Sequence, residues 1–144
     1  MYRHVLIPTD GSELAEHGVT HGLSLAKSIG AKVTVIIVEE PFNWHGAEYA
    51  GITEIARHAE QMKKHVASEL NRVAKAAQEA GVSCDTIQVE DAQPYRAIIA
   101  TAADRGCDLI VMASHGRSGL SAVVLGSVTN KVLAHTKIPV LVCR

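Results

Sequence analysis

The sequence predicts an α/β domain: a five-stranded parallel sheet, doubly wound by four helices. Three observations predict it. Short strand-like runs alternate strictly with runs of helical period, as in successive βαβ units. The strand-like runs are apolar throughout, as strands covered on both faces are. And 47% of the 144 residues are apolar but only 3% aromatic, so the core must be built from Val, Ile, Leu and Ala. No repeat, low-complexity tract or linker divides the chain, which reads as one domain over residues 1–144.

The elements follow in order. Val5 to Pro8 is a short buried strand. Ser12 to Ile29 is a helix, with Leu14, Leu25 and Ile29 at helical spacing, Ser12 as N-cap and Gly30 as stop. Lys32 to Val38 is the strongest strand signal, ended by Pro41 after a loop has begun at about Glu39. Beyond Gly51, Ile55, Ala59, Met62, Val66, Leu70, Val73 and Ala77 recur at steps of three and four until Gly81. Val82 to Val89 is a weaker third strand. Pro94 opens a helix through Asp104, closed by Gly106. Asp108 to Ala113 is the fourth strand, about Ser127 to His135 the last helix, and Ile138 to Val142 the last strand.

The formal net charge is -1 with both signs mixed, which provides no field for nucleic acid or an anionic membrane. Cys84, Cys107 and Cys143 are an odd count without a CxxC, and read as free buried thiols of a reducing compartment. The N-terminus runs straight into a strand, with neither a leader nor an apolar run of membrane-spanning length, so a cytoplasmic protein is expected.

Sheets of this kind bind ligands outside the carboxyl ends of their strands, where strand order reverses. That directs attention to the loops after Pro8, Val38 and Ala113. In the last of these, Gly116 and Gly119 permit close backbone approach, and Gly126-Ser127 opens a helix. A helix N-terminus favours an anion, Ser127 adds a hydroxyl and Arg117 a fixed positive charge, so a phosphate chain suits the loop. On physics alone, a surface loop with glycines for turning explains it as well.

The pattern Ala113, two residues, Gly116, nine residues, Gly126-Ser127 resembles the ATP-binding motif of the universal stress protein family, in which Gly stands where Ala113 does. The resemblance covers the whole chain. Val5-Leu6-Ile7-Pro8-Thr9-Asp10-Gly11-Ser12 is similar to the family's first strand and Asp-bearing loop, and Gly126 through Val142 to its final helix and strand. It implies a Rossmann-like sheet of order 3-2-1-4-5. It also implies an ATP site: Asp10 on the ribose hydroxyls with Pro8 and Thr9 on the same wall, and Val38 meeting adenine through its backbone. Met112 and Ala113 would flank the nucleoside, and Gly116, Gly126, Ser127 and Val128 would surround the triphosphate, with His115 and Arg117 in the same loop. If position 113 needs positive φ or very close backbone approach, its methyl group opposes binding; if it is ordinary extended backbone, the methyl costs little. The family commonly dimerises through the last strand, an apolar edge suited to pairing, so a homodimer is expected.

Other features carry competing readings. Asp10 could cap the first helix as well as serve a ribose. Glu13, His17 and His21 share one helix face that could hold a metal, although a solvated helix face is the preferred reading. Phe42, Trp44 and Tyr49 concentrate in the 39–51 loop, as a flap, a partner contact or simple packing. No Gly-x-Ser-x-Gly, P-loop or kinase motif occurs, and His115 has no evident partner. The expectation is therefore an ATP-responsive sensor or switch, at most slow in hydrolysis, with magnesium completing the charge balance that Arg117 alone cannot. A nucleotide-free interaction dimer and an enzyme of nucleotide chemistry are the alternatives.

Overall fold

The computed structural model describes residues 1–41, 51–116 and 124–144. Strands and helices alternate as β1 (His4–Pro8), α1 (Glu13–Ile29), β2 (Lys32–Glu39), α2 (Ile52–Ala80), β3 (Cys84–Glu90), α3 (Pro94–Asp104), β4 (Leu109–Ala113), α4 (Ser127–His135) and β5 (Val140–Cys143). The five strands form one sheet in the order β3-β2-β1-β4-β5, all pairs parallel. The chain therefore reverses direction across the sheet between β1 and β4, as expected.

Two apolar layers hold the sheet. Val5, Ile7, Val33, Val35 and Val111 pack against α1 and the C-terminal half of α2. Leu6, Ile36, Ile110 and Met112 point the other way, toward Ile98, Ala102 and Val132 of α3 and α4. That division is the period-2 alternation of strands buried on both faces. The third strand departs from it. Asp85, Thr86, Gln88 and Glu90 of β3 are exposed, because β3 is a sheet edge. Its mixed composition explains its weak sequence signal.

Helix α1 begins where Ser12 Oγ accepts from Ala15 N (3.1 Å) and ends at Gly30, whose φ of 70° only glycine adopts without strain. It lies unusually close to the sheet. A Cβ on Gly18 would stand 2.8 Å from the Ala113 amide nitrogen, and one on Gly22 would overlap Ile7 Cδ1. Helix α2 starts three residues before Ile55, and its first turns are largely exposed. Of its residues only Val66, Val73 and Ala77 are fully buried. Strand β5 starts at Val140, two residues later than the apolar run suggests, since Ile138 is held in a turn by Thr136 Oγ1 (3.0 Å).

All three cysteines are free, with Cys107 and Cys143 buried and Cys84 half-buried. Burial pushes the thiols of Cys84 and Cys107 up to about 11, and that of Cys143 upward too, so they are poor nucleophiles. Glu13, His17 and His21 are all exposed, and His21 Nδ1 lies 2.8 Å from the His17 carbonyl, which supports the solvated-face reading. The aromatic residues Phe42, Trp44 and Tyr49, and the predicted cation Arg117, lie outside the described residues. No described helix is long and apolar enough to cross a membrane.

Candidate functional site

The ends of β1, β2 and β4 and the start of α4 surround a cavity of about 870 Å³, within the usual size range of small-molecule sites. Of the residues that the sequence nominates, Pro8, Thr9, Asp10, Val38, Met112, Ala113, His115, Gly116, Gly126, Ser127 and Val128 all line it. Each is placed by identifiable local chemistry.

At the end of β1, Thr9 N donates to the Ile36 carbonyl (2.9 Å) and Thr9 Oγ1 accepts from Gly11 N (3.2 Å), turning the chain off the sheet. Asp10 Oδ1 accepts from Ser12 N (2.9 Å). This corrects the capping alternative: Ser12 caps α1, and Asp10 closes a small turn ahead of it. The other carboxylate oxygen, Oδ2, faces the loop after β4, where a Cβ on Gly116 would stand only 2.5 Å from it.

The β1–β2 ladder ends at Pro8↔Ile36. The Ile36 carbonyl points toward β1, and alternation turns the N–H and C=O of Val38 the same way, past the last ladder residue of β1. The Glu39 carbonyl turns to the opposite side and accepts from Asp91 N (2.9 Å). Val38 therefore presents backbone groups to the reversal crevice.

At the end of β4, Ala113 pairs with Cys143, and no residue other than glycine has positive φ among those described. The methyl group at 113 thus sits on ordinary strand backbone, and the torsional objection to it falls. Beyond it, Ser114 is pinned twice: its N–H donates to the Cys143 carbonyl (2.7 Å), and its carbonyl accepts from Gly126 N (2.8 Å). Gly126 permits that approach, since a Cβ there would meet the Ser114 carbonyl at 3.2 Å and His115 Cα at 3.3 Å. The Gly126 amide is consequently spent inside the protein. The amides that open α4 without an intrahelical acceptor are those of Ser127, Val128 and Thr129, the first bond inside the helix being Asn130 N to Gly126 O (3.0 Å). No side-chain hydrogen bond caps this end among the described residues. Thr129 Oγ1 donates to the Ala113 carbonyl (3.0 Å), fixing the helix to the strand. His115, for which the sequence shows no partner, has one: its Nδ1 lies 3.1 Å from Ser114 Oγ.

Sequence reasoning missed several lining residues. Met62 and Val66 belong to the apolar stripe of α2 and read as core; in the fold they and His65 form a wall of the cavity. That wall is fastened to α1 by Arg72, whose Nη1 donates to Glu16 Oε1 (2.9 Å) and Nε to Glu69 Oε2 (3.1 Å). Hydrogen bonds to Glu69 and Glu16 raise the guanidinium pKa above its already high ordinary value. Thr129, Glu39 and Glu40 also line the cavity, and no local motif marks them. The result is polarised. Carboxylates of Asp10, Glu39 and Glu40 come from the β1 and β2 ends, whereas the open amides of α4 come from the β4 side. Among the described residues no three His, Cys, Asp or Glu side chains converge as a metal cage.

The sequence model of the Universal stress protein family matches residues 1–144. The chain belongs to that family. It is 33% identical over 144 residues to universal stress protein MJ0531 of Methanocaldococcus jannaschii, covering all of this chain and 83% of the relative. The solved structure of MJ0577, from the same organism, superposes with a TM-score of 0.75 at 29% identity, covering 99% of this chain and 95% of that one. A universal stress protein solved in complex with cAMP superposes at 0.73 and 23% identity, covering 99% and 97%, and is similar in fold.

Proposed function

We propose that this universal stress protein binds ATP between the ends of β1, β2 and β4 and acts as a nucleotide-dependent sensor or switch. The observation that carries the reading is the open first turn of α4. Three amides lacking intrahelical acceptors, at the positive end of a helix dipole, border a cavity whose opposite side offers Asp10 and the backbone of Val38. Phosphates suit the first side, and a ribose and base the second. The fold relative solved with cAMP carries an adenine nucleotide, which supports the same ligand class. The reading sets one domain of the chain in the cytoplasm, paired as a homodimer through β5.

Magnesium would be held mainly by the phosphates themselves, since the described residues offer no cage. The reading of a nucleotide-free dimer drew on Ala113; strand backbone there answers the torsional part of that objection.

Ser127→Pro tests the proposal. Ser127 is the first residue of α4 and follows Gly126 at φ -61°, ψ 156°, a conformation that accepts a following proline. Proline at that position preserves a helix while deleting one amide donor and the hydroxyl. Calorimetric titration should show ATP affinity lowered about ten-fold or more, as expected for lost hydrogen bonds to a charged group. Thermal stability should stay near that of the parent. Equal ATP affinity in the two proteins would remove the phosphate assignment.

A further inference from the structure

We propose that the first turns of α2, from Ile52 to His65, are a lid that closes on bound nucleotide, and that Val66 is where the lid joins its anchor. This rests on the nucleotide reading above and names the element that responds when the site fills.

The two parts of α2 are held very differently. From Val66 onward the helix is anchored. Val66, Val73 and Ala77 are fully buried, Leu70 packs against the core beneath α1, and Arg72 reaches across to Glu16. Before Val66 no side chain of α2 is fully buried. Ile55 and Met62 are half-buried, and every other residue from Ile52 to His65 is exposed, Ile52 at 88%. The helix opens on Gly51, and no side-chain hydrogen bond caps it among the described residues. The ion pair between Arg57 and Glu54 (3.3 Å) is exposed on both sides and adds little. Helices in proteins are stable chiefly through the apolar face they bury. The first part of α2 therefore opens more readily than the second.

The change of anchorage falls at the cavity. Met62, His65 and Val66 line it. The same stretch abuts the loop that carries Asp10, where a Cβ on Gly11 would stand 3.2 Å from His65 Nε2 and 3.4 Å from Glu69 Cγ. A nucleoside held by Asp10 and the Val38 backbone gives Met62 an apolar surface to cover, and a thioether side chain moulds readily to an aromatic ring. Ile55 lies on the same stripe as Met62 and Val66, two turns earlier, so covering Met62 draws the start of the helix inward. Ligand contact then stabilises the closed arrangement over the open one, which is what a population shift requires.

The test is hydrogen exchange of the full chain, read by mass spectrometry with and without saturating ATP, in the parent and in Met62→Gln. Calorimetric titration records ATP binding in each. Glutamine is close to methionine in length and helix propensity, and position 62 is only half-buried, so the variant should fold. Without ATP, the amides of residues 52–65 should exchange faster than those of 67–80. Saturating ATP should slow the first group about ten-fold or more in the parent. In Met62→Gln that slowing should shrink several-fold while ATP still binds; should the variant take up no ATP, the parent decides. Exchange at 52–65 as slow as at 67–80 without ATP overturns the lid. So does ATP binding that leaves exchange at 52–65 unchanged, or equal slowing in parent and variant; each leaves nucleotide binding standing. A parent that binds no ATP overturns both readings.

Discussion

At the scale of the residue, the site depends on a few close approaches that a side chain would obstruct. Gly116 is the sharpest case. Its φ is not positive, so the demand for glycine is spatial: an added Cβ would stand 2.5 Å from Asp10 Oδ2, and the carboxylate would have to move. Gly116→Ala should therefore fold with nearly parental stability yet bind ATP about ten-fold less tightly, since a hydrogen bond to a charged acceptor is worth that much. Titration calorimetry checks it, and parental affinity would show that this oxygen does not serve the ligand. Much at this scale was legible beforehand. Asp10, Gly116 and Ser127 are marked by motif and by position after a strand. Ala113 was not decidable, because a methyl group matters through a torsion and a closeness of approach that the sequence does not display. Glu39 was invisible for a different reason: a charged residue at a strand end ordinarily signals solvent, and only the assembled cavity shows one of its oxygens buried.

At the scale of the element, the strand ends opposite the cavity are tied by a polar knot. His4 Nδ1 lies 3.1 Å from the Arg105 carbonyl and Nε2 2.8 Å from Thr34 Oγ1, while Asp108 Oδ1 accepts from the backbone amides of Arg3 and His4 (3.1 and 3.0 Å). A carbonyl can only accept, so Nδ1 carries the proton and Nε2 receives the Thr34 hydroxyl. The knot joins β1, β2 and the α3–β4 turn. Burial, with help from the charge of Lys32, holds the imidazole pKa below its ordinary 6.5. The folded state thus resists a proton that the unfolded chain accepts. The contribution is intact above pH 6.5 and is lost as pH falls through and below that value. Urea midpoints should decline on acidification in that window, and less steeply in His4→Gln; parallel curves for the two proteins would dismiss the effect. Element types and order followed from periodicity, because aliphatic strands and amphipathic helices differ in period. What periodicity concealed was function within an element. Met62 and Val66 share one helical stripe with Val73 and Ala77, yet the first two line the cavity and the last two the core. Hydrophobic spacing identifies an apolar face and leaves open what covers it.

At the scale of the whole molecule, the two edges of the sheet are unlike, and the difference bears on pairing. The β3 edge exposes Asp85, Gln88 and Glu90, the charged and polar surface that keeps edges apart. The β5 edge exposes Leu141, 43% accessible, beside an apolar groove shared by Tyr2, Leu25, Ile29 and Pro139. Pairing of two copies should therefore proceed through β5. Leu141→Arg places like charges across such a two-fold contact, and sedimentation should show a dimer for the parent and a monomer for the variant. A parent that sediments as a monomer would dismiss the pairing. The route from that edge to the proposed nucleotide site is short. The Cys143 carbonyl, at the end of β5, holds Ser114 N, and the Ser114 carbonyl holds Gly126 N at the first turn of α4. A switch that used this route would obey reciprocity: the factor by which ATP changes the dimer dissociation constant must equal the factor by which dimerisation changes ATP affinity. Comparing ATP titrations of the parent dimer and the Leu141→Arg monomer with sedimentation of the parent in ATP measures both factors. Equal factors different from one would establish coupling between pairing and nucleotide binding. A factor of one in both would leave a dimer and a nucleotide site that share a fold without exchanging information.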